Sequence, residues 1–452
     1  MLSRRPVGDK DPAALAWARS GAMALTGFAD GAPRAAPASA AVAMERAAQA
    51  FAATAARRGV QLALDGPALL GERAAASGLA RRGRSSPGGA TRLLRAADGW
   101  IALTLARPDD LAALPAWLEL APAACAAADP WTVVAAALAE RPAAGAVERA
   151  RLVGLPIALA APPPRNPPAA VRVAARGPCG ERGAAPPLVV DLSSLWAGPL
   201  CAQLLGLAGA RVVKVESRTR PDGARRGPPA FFDLLHAGHE SVVLDFTSVW
   251  DRAALRALVS AADVVIESAR PRALRQLGIE AEELVATLPG VTWVAISGYG
   301  RDEPGADWVA FGDDAAAAGG LWALAGRGLD GPLACADAIA DPLAGLHAAA
   351  AALAAHEAGG GVLLDVALAR VAAAAASYAP PPEEDASLPV APPRMRRPAA
   401  RARPPGADTA RVLAERDPRR LRPLRRFDRV PPPYPAPESP GPVPSRSKGP
   451  AT

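Results

Sequence analysis

The sequence predicts an α/β protein: a Rossmann-like parallel sheet of the kind buried between helices, with a smaller α+β lobe ahead of it. Two observations carry this. The runs LVVDL (188–192), ARVVKV (210–215), SVVLDF (241–246), DVVIE (263–267) and TWVAIS (292–297) are short, β-branched and almost continuously apolar. Helical segments separate them, at Pro199–Leu207, Asp251–Ala262 and Glu280–Thr287. Apolar strands alternating with helices belong to a parallel sheet buried on both faces.

The smaller lobe is read from TRLLRAADGWIALTL (91–105), where Asp98-Gly99 is a hairpin-turn signal between two apolar runs. Residues 161–187 are rich in Pro, Gly and Arg without periodicity and read as a linker. The expected organisation is a first lobe at 1–160, the linker at 161–187, a Rossmann-like domain at 188–378 and a largely disordered tail at 379–452. That tail is dominated by Pro and Arg, a composition that buries too little surface to fold. One island in it, GADTARVLAE (406–415), carries a helical pattern and is expected to dock on the body.

The chain of 452 residues carries a net charge of +7. Residues 379–452 hold 15 Arg and Lys against 8 Asp and Glu, so the whole excess lies in the tail. The body has no basic bias toward nucleic acid. Cys125, Cys179, Cys201 and Cys335 are far apart and form no CxxC pair. That spacing argues against a disulfide framework or zinc site and for a reducing, cytoplasmic setting. No apolar run reaches the ~18 residues of a membrane span, and the first residues lack a signal-peptide core.

A repeat is visible within the chain. Ser20–Ala53 and Gly319–Ala355 each run from a small-residue helix through a Gly-Pro-type turn into an alanine-rich helix. Ser39 and Asp341 differ by 302 positions, and so do Val60 and Val362 in RRGVQLAL and GGGVLLDV. Alanine-rich composition can imitate a repeat, so the argument rests on that shared register. Asp341 stands at a helix mouth before Pro342, where an N-cap is the common use of an aspartate. The positive potential there also keeps a carboxylate ionised and available as a nucleophile.

VVDLSSLWAGPLCAQLLGLAGARVVKVES (189–217) reads as strand, turn, helix, strand, without the GxGxxG of a dinucleotide site. DLSSLWAGPLCAQLLGLAGARVVKVES resembles the opening signature of the family III CoA-transferases, the group of carnitine CoA-transferase, bile-acid-inducible protein F, formyl-CoA transferase and α-methylacyl-CoA racemase. HAGHESVVLDF (236–246), ADVVIESARPRALRQLGI (262–279), WVAISGYG (293–300) and IADPLAGLHAAAAALAA (339–355) follow in the family's order. The resemblance implies a Rossmann-like CoA-transferase fold with Asp341 as the catalytic aspartate. It implies CoA contacts at Leu195, Trp196, Ala197, Leu244, Ser268 and Ala269. Arg218 stands beside Ser217, where the family has a CoA-contacting arginine, and Ser268-Ala269 replace its Asn-Phe.

CoA and acyl-CoA are then substrates, with no permanently bound cofactor and no metal. The reaction implied is transfer of CoA from an acyl-CoA to a carboxylic acid through an aspartyl anhydride and an aspartyl-CoA thioester. The alternative is a non-catalytic CoA-binding or scaffolding paralogue. The racemase branch is discounted because Gly312, followed by Asp313, stands where its histidine would fall. His236 and His239 are expected at the surface or near CoA, and His347 in packing. The first lobe resembles other parts of the same family, so the chain is expected to be a homodimer or a single-chain pseudo-dimer.

Overall fold

The computed structural model describes residues 10–415, apart from 127, 182, 184 and 379–381. Three strands form a small antiparallel sheet in the order β1-β2-β3: β1 (Thr91–Arg95), β2 (Trp100–Thr104) and β3 (Ile157–Leu159). Asp98-Gly99 makes the β1–β2 turn, as the sequence predicts. Helices between Pro108 and Leu152 cover this sheet, and Leu94, Ile101, Leu103, Trp117 and Leu138 form its own core.

The large sheet has seven strands: β4 (Arg172–Arg176), β5 (Leu188–Asp191), β6 (Arg211–Ser217), β7 (Glu240–Leu244), β8 (Val264–Glu267), β9 (Thr292–Ser297) and β10 (Val362–Ala367). Their order is β4-β10-β9-β8-β5-β6-β7, and all but β4 are parallel. From β5 the chain winds outward to β6 and β7, then returns to β8 on the other side. This is the Rossmann order, and its switch point lies between β5 and β8.

Two sequence boundaries are corrected by the packing. The 161–187 segment is more than a linker, because its β4 pairs antiparallel with β10 and closes one edge of the sheet. The first lobe is not one unit either. Its residues between Ala14 and Ala74 share a core with the large sheet's helices, and the separate core belongs to the small sheet and its helices.

At the spacing of 302 residues the helices of the two expected copies overlap in part. Helices Pro12–Arg19 and Ser39–Arg57 fall, at that spacing, over Gly312–Ala318 and Ala340–Glu357. The two long helices pack on each other. Their facing residues are mostly alanine, which favours helix and lets the axes approach. Where the second copy has β10, the first has no strand over Val60–Leu64. There Leu62 and Leu64, in register with Leu364 and Val366, line an open groove of about 510 Å³.

Gly345 sets how closely the Ala340–Glu357 helix meets the Ala197–Leu207 helix. A Cβ on Gly345 would lie 2.7 Å from Ala197 O and 3.0 Å from Leu200 Cβ. That close approach, one turn after Asp341, brings the turn following β5 toward Asp341.

The expectation of an unpacked tail does not hold for residues 382–415, while 416–452 lie outside the described residues. Ala391 N–H donates to Ala18 O, and Ala402 N–H donates to Asp233 Oδ1 at 2.8 Å. The Thr409–Ala414 helix, within the predicted island, docks on β7. The tail's arginines are used as side-chain donors, which composition alone did not disclose. Arg396 Nε and Nη2 lie 2.6 and 3.0 Å from the buried Glu72 carboxylate, and Nη1 lies 3.1 Å from Gln203 Oε1.

Removing a partner from a buried ion pair strands the other charge, at about 3–5 kcal/mol. Arg396→Ala is therefore expected to lower unfolding stability by roughly that amount, read by denaturant titration. Arg394→Ala, whose partner Asp65 is exposed, is expected to change it by less than about 1 kcal/mol.

Candidate active site

Asp341 is the second residue of the Ala340–Glu357 helix, and its N–H donates to Ala338 O at 2.9 Å. Its carboxylate accepts from the Gly312 N–H at the start of the Gly312–Ala318 helix. Gly312 has to be glycine in this arrangement, since a Cβ there would lie 2.4 Å from both Asp341 Oδ2 and Ala338 O. The space a side chain at position 312 would take is thus filled by the Asp341 carboxylate.

Three more carboxylates converge here. Asp337 is fully buried and takes both prongs of Arg73, at 2.9 Å from Nε and 2.5 Å from Nη2. Ala336 and Ala338 on either side of it have φ of +52° and +42°, a left-handed backbone that non-glycine residues seldom adopt. Ala336 N–H donates to Thr26 Oγ1 and Ala338 N–H to Asp313 Oδ1, which hold that strained loop. Asp313 and Asp314 extend from the adjoining helix toward Thr91 and Thr104 of the small sheet.

Burial pushes the Asp341 carboxyl up to about 7. Arg73 and the Gly312 N–H work against the rise, and Asp313 and Asp337 add to it. The side chain keeps a partly open rim, and most of its surroundings are protein atoms. Asp313 is raised to about 6, first by burial and then by Asp337, against Arg73 and Thr91. Burial, with added repulsion from Asp313, carries Asp314 to about 8, against the Phe311 N–H and Thr104. Asp341 therefore changes charge close to neutral pH, the range in which perturbed carboxyls are candidates for chemistry.

The expected CoA contacts fall at the ends of β5–β8, around the switch point. Leu195 is exposed and has φ +72°. Its N–H donates to Asp222 Oδ1 at 3.0 Å. Asp222 is held in turn by Lys214 Nζ at 3.0 Å, which also lies 3.5 Å from Asp191 and donates to Ser193 O. Burial would lower Lys214, but Asp191 and Asp222 outweigh it and keep the ammonium charged. This buried network fixes the turn after β5.

Ser268 Oγ accepts from Ser194 N–H at 3.0 Å and ties the β8 end to the same turn; Ala269 is half-buried beside it. Arg218 is exposed after β6, and its N–H donates to Leu244 O. Trp196, Ala197 and Leu244 are buried. Trp196 packs edge-on against Phe231, with the Arg73 guanidinium 5.6 Å from its ring centre. One guanidinium thus lies against both the carboxylate cluster and the turn after β5.

Sequence reasoning missed several residues of this site. Arg270 follows β8, and it sits below its ordinary pKa through partial burial and repulsion from Arg272, Arg107 and Arg220. Guanidinium groups crowded at a switch point suit a phosphorylated ligand. The signal was present in ESARPR, directly after a strand. Arg73 gave none, since its partner Asp337 is 264 positions away.

The histidines do other things. His236 and His239 are 3% and 5% exposed, contrary to the surface expectation. Burial, reinforced by Lys214, keeps both neutral. His347 Nδ1 lies 2.7 Å from Leu343 O one turn earlier, a bond within its own helix. Ser39, in register with Asp341, is buried, and its Oγ has no hydrogen-bond partner.

A Rossmann-ordered sheet with cations at its switch point and a near-neutral carboxyl at the adjoining helix mouth has the layout of an α/β protein that holds an anionic, nucleotide-like ligand beside a reactive acid. Comparison with known proteins narrows this. Residues 187–402 match the family described as CoA-transferase family III. The chain is 33% identical over 168 residues to a succinyl-CoA–D-citramalate CoA-transferase of Chloroflexus aurantiacus, covering 36% of this chain and 42% of that protein. It is 30% identical over 182 residues to a succinate–glutarate CoA-transferase of Agrobacterium fabrum, covering 36% and 46%. The chain spans less than half the length of these two relatives. A solved CAIB/BAIF family protein from Brucella suis aligns at 30% identity and a TM-score of 0.38, over 42% of this chain and 54% of that one.

A carboxyl whose folded pKa is raised adds stability that is complete below its unfolded value near 4 and is lost as pH rises through the folded value. For Asp341 that loss runs from about 4 and is complete once pH has passed about 7. Asp341→Asn should therefore gain melting temperature relative to the wild type between pH 4 and 8. Parallel thermal scans across that range check the trend, and a constant difference between the proteins would contradict it.

Proposed function

We propose that this protein transfers CoA from an acyl-CoA to a carboxylic acid, with Asp341 as nucleophile. The observation that carries the reading is a carboxyl of near-neutral pKa, held by the Gly312 N–H at a helix mouth inside the residues that match CoA-transferase family III. An Asp341 oxygen attacks the thioester carbonyl, the C–S bond breaks, and CoA thiolate leaves an aspartyl-acyl anhydride. The thiolate then attacks the aspartyl carbonyl, releasing the acid and forming an aspartyl-CoA thioester. A second acid runs the two steps in reverse. Covalent catalysis keeps the thioester's energy through the exchange.

The fold suits these steps. When thiolate attacks Asp341, the oxyanion forms on the aspartyl group itself, where the Gly312 N–H is a donor already in place. Arg73 supplies positive charge near the same group. Leu195, Trp196, Ala197, Leu244, Ser268 and Ala269 would form the CoA-facing rim, with Arg218, Arg220 and Arg270 toward its phosphates. CoA and acyl-CoA act as substrates and not as a resident cofactor. Asp341 is buried from most sides, which limits hydrolysis of the intermediates.

In this reading the first repeat copy stands in for part of a second family unit. It contributes Arg73 and packing, while Ser39 leaves it without a nucleophile. Whether the working form is this single-chain pseudo-dimer or a homodimer is a question for solution mass measurement. A cytoplasmic place fits the scattered cysteines; among the described residues no helix is long and apolar enough to cross a membrane. The second reading, a CoA-binding paralogue without turnover, draws support from Ser268-Ala269 in place of the family's Asn-Phe.

Incubation with a panel of acyl-CoAs, followed by peptide mass spectrometry, separates the two. An acyl or CoA adduct on the Asp341 peptide, with exchange lost in Asp341→Asn, is expected. CoA binding with neither adduct nor exchange would sink the transferase reading. The exchange rate should also fall as pH drops through about 7, where Asp341 takes up its proton. Arg73 lowers that value, so Arg73→Gln should move the acid limb to higher pH.

A further inference from the structure

Thr91 and Thr104 are partners across the β1–β2 ladder, and their hydroxyls lie 2.9 Å apart. Thr91 Oγ1 is 3.0 Å from Asp313 Oδ2, and Thr104 Oγ1 is 3.0 Å from Asp314 Oδ1. All four side chains are buried. The result is a continuous chain of oxygens, Asp314–Thr104–Thr91–Asp313, joining two carboxyls through two hydroxyls. Its Asp313 end faces the Asp341 cluster.

Counting hydrogens decides how this chain works. Three oxygen–oxygen contacts need three hydrogens. Each threonine hydroxyl brings one, and an ionised carboxylate brings none. With both aspartates ionised, two hydroxyl oxygens would face each other, or a hydroxyl would face a carboxylate, with no hydrogen between them. With both protonated, there would be one hydrogen too many. One carboxyl proton completes the set.

A second observation indicates where that proton rests. Asp314 Oδ1 accepts from the Phe311 N–H at 2.8 Å, but its Oδ2 is buried with no hydrogen-bond partner among the described residues. Both Asp313 oxygens accept, one from the Ala338 N–H at 2.8 Å and one from Thr91. An unpartnered buried oxygen costs less on a neutral acid than on a carboxylate. The Asp314 end therefore holds the proton whenever Asp341 carries no charge.

We propose that Asp314, Thr104, Thr91 and Asp313 form a relay that holds one proton and passes it between its two carboxyls, adjusting the charge beside Asp341. The role in turnover rests on the CoA-transfer reading; the relay itself does not. In one arrangement Asp314 O–H donates to Thr104, Thr104 to Thr91, and Thr91 to the Asp313 carboxylate. In the shift, the Asp314 proton passes to Thr104, the Thr104 proton to Thr91 and the Thr91 proton to Asp313. Three protons each move one bond, and one negative charge moves from Asp313 to Asp314. No oxidant, reductant or water is consumed.

The consequence for Asp341 is electrostatic. Asp313 and Asp337 both repel charge on Asp341, and Arg73 is already bonded to Asp337. A proton on Asp313 removes one of those repulsions while Asp341 is a carboxylate. When Asp341 is acylated and loses its charge, the proton returns to the Asp314 end. Asp313, Asp314 and the two threonines are thus positioning residues that act through Asp341.

Infrared spectroscopy of the full chain tests the relay without turnover. The parent is the Asp341→Asn protein, so that the nucleophile carboxyl contributes no signal. It should show one buried protonated-carboxyl band at neutral pH that shifts in deuterium oxide. Adding Asp313→Asn supplies the third hydrogen from the amide, so Asp314 should ionise and the band should vanish while the far-ultraviolet circular dichroism is unchanged. No band in the parent would overturn the relay. A band that survives Asp313→Asn would overturn it too, because Asp314 would then hold its own proton.

With Asp341 intact, Asp313→Asn should lower kcat for exchange about tenfold, the effect of ~1.4 kcal/mol on the barrier, with KM for acyl-CoA unchanged. An unchanged kcat alongside the infrared change would overturn the catalytic role. Absence of exchange in the wild type would instead overturn the transferase reading and leave the infrared result standing.

Discussion

Four buried or nearly buried carboxyls, Asp313, Asp314, Asp337 and Asp341, meet at the junction of two helix starts around the guanidinium of Arg73. Carboxylates cannot all ionise in such a space, because each added charge is repelled by the others and poorly solvated. The molecule answers with unequal environments. Asp337 takes the bidentate guanidinium, Asp313 and Asp314 share hydroxyl donors, and Asp341 keeps a backbone N–H and a partly open rim. The reactive candidate is the one not fully committed elsewhere. Gly312, the two left-handed alanines around Asp337 and the Gly345 contact are backbone conditions for that arrangement.

The cluster is also where separate parts of the chain become one object. Arg73 comes from the first repeat copy, Thr91 and Thr104 from the small sheet, and the aspartates from the second copy. No stretch of sequence holds the site by itself. The first lobe has Ser39 where the second has Asp341, yet its removal would strip the cluster of the cation bonded to Asp337 and uncover the long helix that carries Asp341. Its retention is intelligible on physical grounds even though Ser39 contributes no polar contact of its own. The segment 382–415 extends the same logic, since Arg396 neutralises Glu72 in the helix that presents Arg73.

Much of the fold was legible. β5–β9 lie where β-branched runs predict them, because strands buried on both faces leave an uninterrupted apolar trace. The Asp98-Gly99 turn was equally plain, since few residue pairs suit a tight hairpin. Less legible were β4, hidden in a Pro- and Arg-rich stretch, and the ordered course of 382–415. Both are held by partners far away in the chain: β4 pairs with β10, and arginines bond to distant carboxylates. Composition reports the tendency of a segment alone and not what another segment offers it.

For the site, the sequence by itself determined the local facts. It placed Asp341 at a helix mouth, set the strand ends that make the switch point, and put a glycine where a racemase base would stand. Those are properties of neighbours in the chain, written in spacing and residue type. Only the tertiary structure decided the charge on Asp341. It brought Arg73 to Asp337 across 264 positions, set Asp313 beside Asp341 and buried the threonine pair that links Asp313 to Asp314. Electrostatic energy depends on distance and desolvation between groups, and neither quantity exists until the chain has folded.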